Sequence, residues 1–175
     1  MPEPYTPTFT DLDNPGNEYR CFLIDPGEQE VYVNAMDPVV GTSELVHHVV
    51  LNSLDRDRIR DHMLDPQGFD CIDDMPADGM LAGWAPGALP VEFPEGYTMR
   101  FGGDTVIILQ MHYFQANPDE AALSDQSGYA FNTEPAPGRE VYLAPLGIYD
   151  FAIPAGEAEY TDVARYRHSD LGIPI

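Results

Sequence analysis

Runs of apolar and β-branched residues alternate along the chain with clusters of Pro, Gly and Asp. They fall at residues 20–25, 30–36, 44–51, 97–101, 105–114, 128–132, 140–144, 149–153 and 160–166. Runs of this length and punctuation predict strands, and no window carries a long apolar stripe of helical period. The pattern therefore predicts an all-β fold, an antiparallel, jelly-roll-like β-sandwich. One helical turn is expected near 55–62, where Arg56, Arg58 and Arg60 among several Asp residues form a solvated face.

Two stretches interrupt the pattern. Residues 1–17 hold four prolines and no sustained periodicity, and read as an extended lead-in that lies on the surface or frays. The domain proper starts near Glu18. Residues 63–96 are broken by Pro66, Gly68, Pro76, Gly79, Gly83, Pro86, Gly87, Pro90, Pro94 and Gly96, and read as one long irregular loop. A loop of that length inside a compact domain is functional or pinned by side chains. Cys71 and Trp84 are the candidate pins.

The 175 residues suffice for one well-buried core. The 30 acidic side chains against 8 basic ones, all arginine, give a formal charge of -22. Such a surface repels phosphate backbones and anionic lipid, which argues against nucleic-acid or membrane-surface partners. It attracts cations in general, so acidity by itself identifies no metal site. No run approaches the roughly 18 apolar residues of a membrane-spanning helix. The two cysteines, Cys21 and Cys71, fit neither a zinc knuckle nor a Cys-X-X-Cys pair, which leaves one disulfide or two buried thiols.

The candidate chemistry lies in the histidines. His47 and His48 are adjacent in the apolar run Leu45-Val46-His47-His48-Val49-Val50, and His112 lies in Leu109-Gln110-Met111-His112-Tyr113. Neighbouring side chains of a flat strand face opposite ways. The pair can share a metal only if its strand is twisted, bulged or ends there. The alternative is a set of core or edge histidines satisfied by hydrogen bonds, since polar rings in an apolar strand need partners. Three imidazoles without thiolate or carboxylate neighbours suit copper or zinc rather than calcium or magnesium. Gln110 shares a strand face with His112, either as a hydrogen-bonding partner or as a residue facing water.

Five blocks together carry a family resemblance. Tyr19-Arg20-Cys21-Phe22, Val46-His47-His48-Val49, Gly83-Trp84-Ala85-Pro86-Gly87, Pro94-Glu95-Gly96 and Leu109-Gln110-Met111-His112-Tyr113 occur in this order. In order and approximate spacing the chain resembles, over about 18–155, the N-terminal domain of the copper type II, ascorbate-dependent monooxygenases. That family includes peptidylglycine α-hydroxylating monooxygenase and dopamine β-monooxygenase.

The resemblance implies that His47, His48 and His112 hold one copper, which stores and delivers an electron taken from ascorbate. It implies a Cys21–Cys71 disulfide, and with it a periplasmic or secreted location. Tyr19 and Gln110 match positions flanking the copper, as supporting residues, and Trp84 anchors the long loop. No catalytic residue is expected in this chain. In the family, a second sandwich domain supplies a His-X-His pair and a Met to the oxygen-activating copper, and nothing after His112 offers that motif. Residues 156–175, with a lone His168, are expected to be the start of that catalytic domain. Expected partners are this C-terminal catalytic copper domain and a small-molecule or peptide substrate. A stand-alone copper carrier or sensor on the same β-sandwich is the second reading, and an interaction module with vestigial histidines the third.

Overall fold

A computed structural model describes residues 3–72, 75–117, 122–148 and 150–167. Two sheets face each other. The first contains β1 (Asn17–Ile24), β3 (Val46–Asp55), β4 (Phe69–Asp70), β5 (Gly79–Trp84) and β8 (Thr105–Phe114), in the order β4-β1-β8-β3-β5. The second is built on β2 (Val31–Val39). It pairs with β9 (Gly128–Glu134) along one edge, and with β7 (Tyr97–Phe101) and β6 (Val91–Glu92) along the other. The two-residue β10 (Arg139–Glu140) joins β7 in parallel, and the other pairings are antiparallel. This is the expected all-β sandwich.

β8 organises the first sheet because both of its faces are covered, which explains its nearly unbroken apolar run. Ile107, Leu109, Met111 and Tyr113 point between the sheets, where they join Val33, Met36, Met99 and Phe101 in the main core. Val106 and Ile108 point the other way into a second cluster with Cys21, Leu54, Met63, Phe69 and Cys71. Each fully buried Leu, Ile, Phe or Met side chain contributes about 1.5–3 kcal/mol. Gln110 and His112 continue that outer face toward the end of the strand, so the second cluster forms the floor beside which the histidines sit.

The segment covering the second cluster contains short 3-10 turns at Arg56–Arg58 and Asp61–Leu64, where one helical turn was expected. Two features fasten it to β1. Cys21 and Cys71 form a disulfide with their Cα atoms 5.9 Å apart. Gly68, at φ 73°, passes so close that a Cβ there would lie 2.6 Å from the Cys21 carbonyl oxygen. Only glycine meets both demands.

The structure departs from the pattern-based expectations in three places. The lead-in does not lie free: Tyr5 is buried in the main core, and its backbone exchanges bonds of 2.9 and 2.8 Å with Asp125. The Glu18 carboxylate holds the same segment by accepting bonds from Thr8 N–H, Phe9 N–H and the Tyr5 hydroxyl. The 63–96 loop contains β4, β5 and β6, and five residues of β5 pair with β3 despite glycines that weaken a strand signal.

Of the described residues in the runs at 140–144, 149–153 and 160–166, only Glu140 lies in a strand. Among the described residues pairing ends with β10, where Val141 N–H donates to Thr98 O at 2.9 Å, and residues beyond it carry apolar side chains on the surface, among them Leu146, Phe151, Ile153 and Val163. β-propensity makes a strand only where a neighbouring backbone offers partners. Tyr149 and His168 lie outside the described residues. No helix among the described residues is long and apolar enough to cross a membrane.

The disulfide closes a loop with a sequence separation of 50. Replacing both Cys21 and Cys71 by Ser is expected to lower unfolding free energy by about 3–4 kcal/mol in the chain-entropy account. The shift should appear in guanidinium titrations read by Trp84 fluorescence.

Candidate metal centre

β8 lies between β1 and β3, and its register sets the site. Tyr19 of β1 and His48 of β3 both stand directly across from His112. Val46 pairs with Tyr113 and His48 with His112, so β3 carries one residue more than β8 over this step. That extra residue is His47. The bulge changes the phase of the strand: Val46 and Val49 are both in the main core, while His47 and His48 both reach the outer side. The condition set by the adjacent histidine pair is met by a bulge.

The bulge is held at its base. Leu45 and Val46 both donate backbone bonds to Thr42 O, and Phe114 N–H donates to Leu45 O at 2.8 Å. The turn before it rests on buried Asp125, whose carboxylate accepts from Thr42 N–H at 2.9 Å and the Ser127 hydroxyl at 2.8 Å. The Tyr113 hydroxyl reaches the other carboxylate oxygen at 3.2 Å.

One ring nitrogen from each of His47, His48 and His112 lies within 4.8 Å of the others. The His47 and His48 Nδ1 atoms are 3.2 Å apart, as are those of His112 and His48. The three rings differ in access. His112 is only 6% exposed, His48 is half-buried and His47 opens to solvent beside Phe114. Burial pushes the His112 imidazolium down to about 4, and the neighbouring histidines add to that shift. His48 is lowered for the same reasons, burial first and His47 second.

The donor set fits a metal ion on its own chemistry. His48 Nδ1 takes part in both 3.2 Å contacts, and a neutral ring nitrogen has either one proton or one lone pair to offer. Ordinary two-centre hydrogen bonds cannot satisfy both contacts, whereas one cation receives three lone pairs. The separation also matches imidazoles sharing an ion at bonds of about 2.0–2.1 Å. All-nitrogen ligation suits copper or zinc, as expected from the residue types.

Tyr19 covers the buried side. Its ring stacks on His112 with centroids 4.1 Å apart and an interplanar angle of 8°. Gln110 is half-buried one step along the same face, and its Nε2 contacts Cys71 Sγ at 4.0 Å. It touches the disulfide, and among the described residues the hydrogen-bonding partner that a histidine ring finds outside the cluster is another side chain. That partner is Asn17, whose Oδ1 lies 2.8 Å from His112 Nε2. Nothing in the sequence pattern marks Asn17, since an asparagine at a strand start next to Gly16 has the character of a turn residue. His62, on the turn at Asp61–Leu64, packs its ring on Phe69 outside the cluster.

A family model for the N-terminal domain of copper type II ascorbate-dependent monooxygenases matches residues 10–121. The chain belongs to that family. The matched region runs from the lead-in through β8, so all three histidines, Tyr19, Asn17 and both cysteines lie within it. A search of curated proteins returned no match. For a monooxygenase family defined by copper, a three-imidazole cluster in the matched region is the chemically apt place for the ion.

The lowered His112 and His48 values set a pH dependence for the metal-free protein. Between about 4 and the ordinary 6.5 the unfolded chain binds protons that the folded site refuses, so stability is full above 6.5 and falls as pH drops toward 4. Carboxylate protonation relieves acidic repulsion over part of the same range, so the informative quantity is a difference. Urea titrations of chelator-treated protein should show wild type losing stability relative to His112→Gln as pH is lowered from 7 to 4.5.

Proposed function

We propose that this chain is the electron-transfer copper domain of a monooxygenase that hydroxylates a C–H bond with O2, with ascorbate as reductant. The observation that carries the reading is the convergence of His47, His48 and His112 ring nitrogens on one point at the edge of the sandwich. Copper bound there supplies a one-electron couple. The residues suit that role through their neutrality and rigidity. Three uncharged imidazoles serve either oxidation state, so a change of charge demands little rearrangement. His48 and His112 are fixed by strand pairing and Tyr19 by stacking, which limits reorganisation further. The exposed edge of His47 leaves one side open to a reductant in solution.

The catalytic step is assigned to a second, C-terminal copper domain of the same protein. There a small-molecule or peptide substrate would meet oxygen. The disulfide supports a periplasmic or secreted location, because such bonds persist in oxidising compartments.

Metal analysis is expected to give one copper per chain, with a Cu(II) resonance signal bleached reversibly by ascorbate. His47→Ala, His48→Ala and His112→Ala should each weaken copper binding, while His62→Ala leaves it unchanged. Equal loss on changing His62 would show that the ligand set is wrong. Stable zinc with no ascorbate-sensitive signal would remove the electron-transfer role.

Supplied with copper, ascorbate, oxygen and a peptidylglycine or phenethylamine compound, the 175-residue chain is expected to form no hydroxylated product. In a protein that also carries the second domain, product should appear, and His112→Ala should suppress turnover while leaving substrate affinity intact. Product from the chain alone, measured by mass spectrometry, would overturn this division of labour.

A further inference from the structure

Asn17 opens β1 two residues before Tyr19, on the same strand face. Its amide is held from three sides. Oδ1 lies 2.8 Å from His112 Nε2, while Nδ2 donates to Asn14 Oδ1 at 3.0 Å and to Pro15 O at 3.3 Å. The turn carrying these acceptors is itself tied down: Asn17 N–H donates to Asn14 O, and Gln115 N–H donates to Gly16 O at 2.7 Å, just past the end of β8. Gly16 sits at φ 76°. Reversing the amide would set Oδ1 against the Pro15 carbonyl, which has no hydrogen to give, and lose the Nδ2 bond made there. The oxygen therefore faces the ring, and only a ring N–H satisfies it.

We infer that Asn17 is a positioning residue for the metal centre: it fixes His112 as the tautomer with hydrogen on Nε2 and holds the ring plane, so that the bare Nδ1 points at the cluster. A hydrogen bond behind a metal-bound imidazole orients the ring and raises its basicity. Tyr19 stacking sets the plane of His112 from one face, and Asn17 fixes rotation within that plane. Among the described residues, the hydrogen-bond contacts of the His47 and His48 rings run only to one another and to His112. His112 is the ring whose direction is set before any ion arrives.

This inference rests on the copper reading for its consequence but not for its geometry, and the tests separate the two. Nitrogen-15 NMR of the metal-free wild type should show His112 with its proton on Nε2. A proton on Nδ1 would overturn the inference without any variant. Asn17→Leu, which keeps bulk but loses the acceptor, should give mixed tautomers and weaken copper binding about 10- to 100-fold. Asn17→Asp keeps an acceptor toward the ring, and Asn14 can turn its NH2 toward the carboxylate, which offsets in part the oxygen now set against the Pro15 carbonyl. It should restore binding to within a few-fold of wild type while lowering the copper reduction potential, a shift that a merely structural role would not produce. Unchanged tautomer and unchanged copper affinity in folded Asn17→Leu would sink the inference. An Nε2 proton in a wild-type chain that binds no copper would support the positioning role and overturn the copper reading.

Discussion

Adjacent residues of a strand face opposite ways unless the strand carries one residue more than its partner. The candidate site exists because β3 does so between Val46 and His48. With a regular register, one histidine would enter the main core among Val46, Val49 and Met111, and the other would stand alone outside. The bulge keeps the core apolar and delivers both rings to the outer face, next to the residue directly across on β8. The Thr42 turn, the Phe114 to Leu45 bond and the buried Asp125 carboxylate all brace that step.

The outer face of the sheet is divided between packing and chemistry. Val106 and Ile108 are sealed beneath the segment that the disulfide fastens, and Gln110 touches the sulfur at the boundary. His112 comes next, buried on one side by Tyr19 and open on the other to His47 and His48. One strand thus passes from hydrophobic floor to candidate metal ligand within three alternations. The position of the imidazole is inherited from the packing of its neighbours, and its low affinity for protons follows from the same burial.

Two 3.2 Å contacts meet at His48 Nδ1, which has one proton or one lone pair to offer them, whereas a cation takes a lone pair from each ring. Family membership and donor chemistry point to the same ion. Asn17 adds what neither supplies: a reason for His112 to present Nδ1 rather than Nε2. Its own orientation depends on Asn14 and Pro15, so a turn outside the sheet shapes the donor atom inside it.

The sequence by itself determined much of the sandwich. Apolar runs at 20–25, 30–36, 97–101, 105–114 and 128–132 became β1, β2, β7, β8 and β9, because in each the local pattern agrees with a partner strand. It also determined the ligand types, since a histidine pair in an apolar strand demands partners wherever it lies. Tertiary structure decided what depends on a neighbouring backbone. Val91 and the glycine-broken stretch around Met80 pair because β2 and β3 present edges to them, whereas the apolar residues beyond Val141 join no strand among the described residues. It alone decided that the extra residue of β3 is His47, that Tyr5 leaves the surface for the core, and that Gln110 meets a disulfide while Asn17 meets His112. Those choices turn on register and on contacts between residues far apart in the chain, and a pattern read along one strand carries neither.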